Sequence, residues 1–245
     1  MIKRTILKSS IDELETILKK EYLRLSDKLV SYLLDLYISI LGEDGKPLHS
    51  HLYQYNKYYE MLNKVQNELM QLGLKENRIF DDRLINLYEE NCKILNKQFN
   101  LAIDIRTKDV LSIVKTDWVG DGANYSDRIW KDKRRLAETI QEELVECVSL
   151  GKSPDKFTKV LMERFNVSYN NARRLARTEM AHVYNQSTLD KYKQAGITEV
   201  QILETIDEHT CEECRKLDKK IYPIDTVPQL PVHPNCRGTY LAVIK

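Results

Sequence analysis

The spacing of apolar residues predicts that the first half of the chain is built from long helices. Ser10-Ile-Asp-Glu13 has the form of a capping box, and Gly42 offers a stop. Between them, apolar residues recur every three to four positions, which is the helical period. The apolar positions are Leu14, Ile17, Leu18, Leu25, Leu29, Leu33, Leu36 and Ile40. The pattern predicts one helix of about 30 residues, or about 45 Å.

Two further long helices are predicted before residue 116. The second runs from about residue 50 to Leu72 and ends at Gly73. The third begins near Asp81 and continues past Phe99. Because the connections between the three helices are short, we expect them to pack as an elongated antiparallel bundle.

A polar segment that contains glycine, residues 116–126, follows these helices. We therefore predict a boundary there, with an elongated helical domain of residues 1–116 and a second domain of residues 117–245.

The second domain begins with helices and ends with short strands. Helical spacing continues over about residues 127–150, 154–165 and 169–195. The apolar period then changes to about two, which predicts a strand at residues 198–206 and a partner strand at 238–244. The predicted fold class is mainly α, with a compact helical region and a small α+β module at the C-terminal end.

Metal-binding side chains are concentrated between the two predicted strands. Cys211-Glu-Glu-Cys214 and His233-Pro-Asn-Cys236 each place two of them three positions apart. Two such pairs supply the four ligands that a structural zinc ion takes in a tetrahedron. We predict that Cys211, Cys214, His233 and Cys236 bind one Zn²⁺, with residues 207–238 as a hairpin-like loop around it. The alternatives are unrelated reduced thiols or a Cys211–Cys214 disulfide.

Composition limits the classes of partner. The chain has 38 basic and 37 acidic residues and a net charge of +1, so a nucleic acid would have to be bound by a local patch. No apolar run approaches the roughly 18 residues of a membrane span, and the start lacks the features of a secretory signal. We expect no membrane partner and a reducing compartment, with Cys92 and Cys147 as small buried residues.

A glutamate lies on the apolar face of the predicted helix at residues 169–195. Its apolar neighbours on that face are Ala172, Leu175, Ala176, Met180 and Val183. Because a buried carboxylate needs a partner, we expect Glu179 to pair with an arginine from another segment. Arg237 and Arg128 are the two candidates. The alternative role for Glu179 is that of a catalytic acid or base.

Three arginines of the same helix, Arg173, Arg174 and Arg177, point away from that face. Such a basic face is solvated in most helices, and the alternative is a strip that binds phosphates. Any DNA binding by this strip should be weak and lost as salt rises, because only local phosphate neutralisation would drive it.

Several motifs follow one another in the second half of the chain. They are Tyr125-Ser-Asp-Arg-Ile-Trp130, Gly151-Lys-Ser153, Ala172-Arg-Arg-Leu-Ala-Arg-Thr-Glu179, Asn185, Asp207-Glu-His-Thr-Cys211-Glu-Glu-Cys214 and His233-Pro-Asn-Cys-Arg237. In this order they resemble the Mu F-like head morphogenesis family of tailed phages, whose members are also called minor head or minor capsid proteins. The resemblance covers the chain from about Trp118 to its end. Family members often carry a further cysteine where this chain has Gly238, so the four named ligands should suffice here.

The resemblance implies a low-copy structural component of the phage head. Such a protein is made in the cytoplasm of the bacterial host, is recruited by the portal during procapsid assembly, and lies inside the virion head. The implied partners are the portal protein and, beyond it, scaffold or major capsid protein. Weak DNA binding and ejection with the DNA are further expectations.

An enzyme encoded by the phage is the alternative, either a nuclease or an ADP-ribosyltransferase-like protein with Glu179 catalytic. A His-Asn-His nuclease needs a general-base histidine beside its metal ligands, and the C-terminal module offers only His209 and His233. Four protein ligands would also leave the zinc ion no open position for water. We therefore predict that the chain is not an enzyme.

The N-terminal half is the predicted portal-binding region. The stripe from Leu14 to Ile40 is longer than one neighbouring hairpin obviously covers, and tyrosines follow it at Tyr53, Tyr55, Tyr58 and Tyr59. Aromatic residues are enriched at protein interfaces. We expect residues 1–115 to contact the portal and the zinc module to face the head interior.

Overall fold

The computed structural model describes residues 2–43, 57–102 and 107–244. The chain is mainly helical and ends in a small antiparallel sheet of three strands, which confirms the predicted combination of a helical body with an α+β end. None of the described helices combines the length and the apolar character that crossing a bilayer requires.

The helical part of the chain comes first, and one short helix lies between the strands near its C-terminal end. The elements are α1 (Ile2–Ser39), α2 (Lys57–Phe99), α3 (Thr107–Val114), α4 (Tyr125–Ser149), α5 (Pro154–Gln194), β1 (Glu199–Leu203), α6 (Glu212–Leu217), β2 (Ile221–Pro223) and β3 (Thr239–Ala242).

Two predicted features of the first helices are wrong: the start of the first helix and the break between the second and the third. Helix α1 already begins at Ile2, so Ser10 lies inside it and does not cap it. Helix α2 is one continuous helix where two were predicted, and Gly73 lies in its interior. A Cβ at Gly73 would lie 2.6 Å from the Trp130 ring. Glycine at this position therefore makes room for the indole and does not end the helix.

Helix α5 also replaces two predicted helices. Ser168 lies inside it, is buried, and donates a hydrogen bond to the Asp132 carboxylate instead of capping a helix. The predicted start was right: α5 begins at Pro154, and Ser153 Oγ accepts a bond from the backbone N–H of Lys156 at 3.4 Å. Gly196 follows the helix end with a φ of 73°, a left-handed conformation that glycine adopts without strain.

The chain divides into two compact units that do not follow the predicted boundary at residue 116. The first unit contains Met1–Glu15, Ile79–Tyr125 and Arg174–Lys245, and the second contains Thr16–Arg78 and Ser126–Arg173. Each unit takes segments from both sides of residue 116, because α1, α2 and α5 each contribute to both units. A cut at residue 116 would therefore divide both.

The second unit buries most of the apolar stripe of α1. Its buried members in this unit are Leu18, Leu25, Leu29, Leu33, Leu36 and Ile40. Tyr37 of the same helix stacks on Phe157 with 5.8 Å between ring centroids. The stripe is thus covered by the chain itself and does not require a partner protein. Tyr53 and Tyr55 lie outside the described residues, and of the other two tyrosines Tyr58 is buried and Tyr59 is exposed.

A buried ion pair lies in the same unit. Lys133 Nζ is 2.9 Å from Glu76 Oε2, and the two side chains are 3% and 1% exposed. Tyr22 donates to Glu76 Oε2 at 3.1 Å and accepts a bond from Lys133. Asp132 lies 3.1 Å from the ammonium and is itself held by Ser168. Burial lowers the pKa of Lys133, but the neighbouring Glu76, Tyr22 and Asp132 outweigh it and hold the pKa above its usual value.

The sheet belongs to the first unit and has the order β2-β1-β3. The two predicted strands pair as expected, with Ile202 opposite Tyr240. Strand β1 alternates between the two faces of the sheet and buries Val200 and Ile202. The core around them is completed by Leu95, Tyr192, Ile224, Leu230 and Tyr240. Strand β2 and helix α6, both within the predicted loop 207–238, are too short for the sequence pattern to reveal them.

Candidate metal centre

One turn of helix brings the first cysteine pair together. Cys211 is the N-cap of α6, and its extended backbone (φ −68°, ψ 165°) lets its Sγ accept the backbone N–H of Cys214 at 3.4 Å. This bond lowers the pKa of the Cys211 thiol, whereas burial raises that of Cys214. A bound cation would favour the thiolate at both positions, since the thiolate is the ligand form.

His233 faces both thiols with one ring nitrogen. Its Nε2 lies 3.1 Å from Cys211 Sγ and 3.2 Å from Cys214 Sγ. The other nitrogen, Nδ1, is 3.0 Å from the carbonyl oxygen of Pro234. A carbonyl oxygen only accepts, so Nδ1 carries the proton and Nε2 offers its lone pair toward the sulfurs. Metal-binding histidines are typically oriented in this way by a backbone carbonyl.

Cys236 joins the cluster through Cys214, with 3.6 Å between the two Sγ atoms. In a tetrahedral zinc site with bonds of about 2.0–2.3 Å, neighbouring ligand atoms are about 3.5–3.8 Å apart. The Cys214–Cys236 distance lies in this range, and the two distances from His233 Nε2 to the sulfurs are somewhat shorter. Cys214 belongs to two groups of metal-binding side chains, Cys211–Cys214–His233 and Glu204–Cys214–Cys236. All five cysteines are free thiols, so the structure does not contain the alternative Cys211–Cys214 disulfide.

The four predicted ligands have the residue types that zinc prefers, and Cys214 connects the group of Cys211 and His233 to Cys236. Zinc binding by the four residues stays a prediction. Glu204 was not predicted as part of the site. Its position seven residues before Cys211 gave no signal, because the strand register brings it to the cysteines.

A turn before α6 holds Cys211 in place. The Asp207 carboxylate accepts bonds from the His209 N–H and the Thr210 hydroxyl at 2.9 and 3.1 Å. Arg237 binds both carboxylate oxygens of Asp207, each at 2.6 Å. These hydrogen bonds lower the pKa of the Asp207 carboxyl, and the bond from Arg237 has the largest effect. The residue after the last ligand thus secures the turn before the first one.

This contact corrects the predicted Glu179–Arg237 ion pair, since Arg237 binds Asp207. Glu179 is 2% exposed, which agrees with its predicted burial. Its Oε2 accepts the indole N–H of Trp118 at 2.9 Å. An indole N–H is a strong donor for a buried carboxylate, and it was not among the predicted partners. The pairing of Glu179 with Arg128, the other predicted candidate, stays a prediction.

Trp118 also covers a histidine that the sequence analysis missed. Its indole stacks on His182, with 4.3 Å between ring centroids and 9° between the ring planes. His182 is 3% exposed, and burial lowers its pKa to about 4. Within the described part of the chain, its Nδ1 has no hydrogen-bond partner. His182 is therefore neutral near pH 7.

Helix α5 holds the second ligand pair through two polar side chains. Thr178 Oγ1 accepts the backbone N–H of Asn235 at 3.3 Å. Asn185 Nδ2 donates to the carbonyl oxygen of Gly238 at 3.0 Å. These bonds flank Cys236 on both sides. Two residues of the helix motif, Thr178 and Asn185, thus hold the segment that contains His233 and Cys236.

The three arginines of the predicted DNA-binding strip differ in their surroundings. Arg174 is exposed and Arg173 is half-buried. Arg177 binds the Glu15 carboxylate, which reduces the positive charge that this position could offer a phosphate. DNA binding by Arg173, Arg174 and Arg177 stays a prediction.

Substitution of Glu179 should distinguish a structural role from a catalytic one. We expect Glu179→Ala to lower the free energy of unfolding by about 1–3 kcal/mol, because the indole N–H of Trp118 would lose its buried acceptor. Glu179→Gln keeps an acceptor oxygen and should cost clearly less. Both values can be measured by denaturant unfolding. Equal losses in the two variants would show that the bond to Trp118 does not matter.

Two comparisons relate the chain to known proteins. The family described as Phage Mu protein F like protein matches residues 138–241, a range that contains α5, all four predicted zinc ligands and the sheet except its last residue, Ala242. This match confirms the resemblance over these residues. The NAD(+)--arginine ADP-ribosyltransferase EFV of Enterococcus faecalis (strain ATCC 700802 / V583) is 30% identical over 108 residues. No solved structure matches the chain.

The match to the transferase is partial. It covers 42% of this chain and 22% of the relative. The chain thus corresponds to about a fifth of that protein, and the activity in its name is a property of the whole relative.

Proposed function

We propose that this chain is a phage minor head protein that assembles with the portal during procapsid formation and carries a structural zinc ion. The observation that carries the proposal is the family match over residues 138–241, together with the metal-binding cluster inside that range. The protein would be made in the host cytoplasm and be present in the head of the virion at low copy number.

The chemistry of the cluster supports a structural role for the zinc ion. Cys211, Cys214, His233 and Cys236 provide four ligands, and structural zinc sites are closed by four protein ligands whereas catalytic sites keep one position for water. The surrounding contacts position the segments that carry the ligands. Arg237 binds Asp207 in the turn before Cys211, and Thr178 and Asn185 bind the backbone on either side of Cys236. The ion would thus fix the fold of residues 204–238.

An enzymatic function is the second candidate because of the match to the ADP-ribosyltransferase. Glu179 is the residue that we considered catalytic on sequence grounds. Its carboxylate is 2% exposed and is bound to the Trp118 indole, and a catalytic group has to reach its substrate. The burial of Glu179 therefore favours the structural proposal.

Association with the portal is tested with the full-length chain. We expect a tagged chain produced together with the portal protein of the same phage to co-purify with it, and we expect heads assembled without the portal to lack the chain. Copy number can be counted by quantitative mass spectrometry of purified heads. Absence of the chain from heads, together with no retention of portal, would contradict the proposal.

Surface variants test whether residues 1–115 make the portal contact. Leu23 and Tyr59 are 54% and 57% exposed in this half, and Ile221 is 53% exposed in the C-terminal module. We expect Leu23→Asp and Tyr59→Asp to weaken portal retention and the matched Ile221→Asp to leave it unchanged. The reverse pattern would assign the contact to the C-terminal module.

The enzymatic candidate is tested on the same purified protein. NAD⁺ hydrolysis and ADP-ribose transfer to arginine are measured for the unmodified chain and for Glu179→Gln, whose fold should be intact. Activity that disappears in Glu179→Gln would establish the enzyme and overturn the structural proposal.

A further inference from the structure

A buried carboxylate lies on the inner side of the proposed zinc site. Glu204 follows β1, is 5% exposed, and has its Oε1 3.8 Å from Cys236 Sγ. With Cys214 and Cys236 it forms a second group of metal-binding atoms that all lie within 4.8 Å of one another. Carboxylate oxygen and thiolate sulfur are both zinc ligands, so a metal ion bound to these sulfurs lies within reach of the carboxylate.

The strand register explains how Glu204 reaches the site. Strand β1 pairs with β3 up to Leu203 opposite Thr239, and one step further along the same register Glu204 and Gly238 face each other. Residues opposite each other in an antiparallel pair have side chains on the same face. The Glu204 side chain therefore extends over residue 238 toward Cys236.

Gly238 leaves the space that this carboxylate occupies. A Cβ at residue 238 would lie 2.2 Å from Glu204 Oε1 and 2.8 Å from its Cδ. The φ of Gly238 is not in the left-handed region, so the backbone does not itself require glycine. Asn185 fixes the residue 238 carbonyl from α5, which prevents the strand from moving aside. The arrangement thus admits a carboxylate at the cysteines only because residue 238 has no side chain.

We propose that Glu204 is an alternative ligand of the metal ion, which completes the coordination in place of His233 when the imidazole is absent. The proposal rests on the proposed zinc site. Zinc accepts carboxylate oxygen as well as sulfur and imidazole nitrogen, and structural sites hold four ligands. The two groups of metal-binding atoms, Cys211–Cys214–His233 and Glu204–Cys214–Cys236, share Cys214. His233 lies on the more exposed side and Glu204 on the buried side.

A double-mutant cycle on zinc affinity tests this exchange. Affinity is measured by chelator competition for the unmodified chain, Glu204→Gln, His233→Ala and the double variant. We expect His233→Ala to keep one zinc per chain. The Glu204→Gln substitution should weaken zinc binding at least about tenfold more in the His233→Ala background than in the unmodified chain. Such an excess is expected because substitutions at interacting sites are not additive. Cobalt substitution should show a tetrahedral absorption spectrum in His233→Ala and lose it in the double variant.

Two further variants control for charge and for folding. Glu213 lies between the first two ligands and is exposed, so Glu213→Gln removes the same charge near the site and should not show the excess loss. Gly238→Ala displaces the Glu204 carboxylate without altering it and should reproduce the excess loss in the His233→Ala background.

Three results would overturn the inference. They are additive effects of Glu204→Gln and His233→Ala, loss of all metal in His233→Ala alone, or an excess loss that Glu213→Gln shares. A failure of the unmodified chain to bind zinc would instead contradict the proposed zinc site itself, and the proposal for Glu204 would fall with it.

Discussion

Removal of the proposed zinc ion should unfold residues 204–238 and leave the helical second unit folded. Zinc contributes about 10–16 kcal/mol of apparent folding free energy in zinc-finger peptides, and a whole domain is stable by only about 5–15 kcal/mol. The segment contains one helix of 6 residues and one strand of 3 residues. Although Ile224 and Leu230 anchor part of the segment in the core, we expect elements this short to depend on the ion for their order. We therefore expect chelation, or Cys214→Ser, to increase hydrogen exchange across this segment.

The matched control is a buried cysteine outside the cluster. Cys92 of α2 is fully buried, and burial raises the pKa of its thiol, so it behaves as a small apolar side chain. Cys92→Ala should keep one zinc per chain by elemental analysis and normal exchange at residues 204–238, whereas Cys214→Ser should lose both. A zinc content far below one per chain after purification without chelator would contradict the site, as would unchanged exchange in Cys214→Ser.

The cluster could be predicted because its signal is local. The spacing in Cys211-Glu-Glu-Cys214 is set by a single turn of α6, and its hydrogen bond from the Cys214 N–H to the Cys211 Sγ joins residues three apart. The end of α5 near Gly196 and the start at Ser153-Pro154 depend likewise on backbone preferences within a few residues. Such features need no knowledge of the rest of the fold.

The features that were missed depend on contacts between distant segments. Gly73 and Ser168 look like helix ends in the sequence, yet Trp130 and Asp132 determine their roles inside long helices. Glu204 enters the site through strand register, which no spacing in the sequence reveals. These errors share one cause, since a local helix signal was given precedence over packing that only the three-dimensional structure supplies.

The buried pair in the second unit also depends on such distant contacts. Lys133 of α4 and Glu76 of α2 are 57 positions apart in the sequence and 2.9 Å apart in the structure. Tyr22 of α1 bonds to both side chains. Three helices therefore meet at one charged group, and the loss of one partner leaves the other charge buried without compensation.

We expect Lys133→Met to lower the free energy of unfolding by about 3–5 kcal/mol, since it leaves Glu76 as an unpaired buried carboxylate. The double variant Lys133→Met/Glu76→Leu removes both charges and should recover most of that loss, because apolar replacement of a buried pair is often neutral.

The matched control is Lys28→Met. Lys28 pairs with Glu68 at the surface, with side chains 42% and 28% exposed, and exposed pairs contribute about 0–1 kcal/mol. Denaturant unfolding of the four proteins measures these differences. If Lys133→Met lowers the free energy of unfolding no more than Lys28→Met does, the pair is open to water and does not stabilise the unit. If the double variant is no more stable than Lys133→Met, Lys133 acts through its contacts with Tyr22 and Asp132 and not through Glu76.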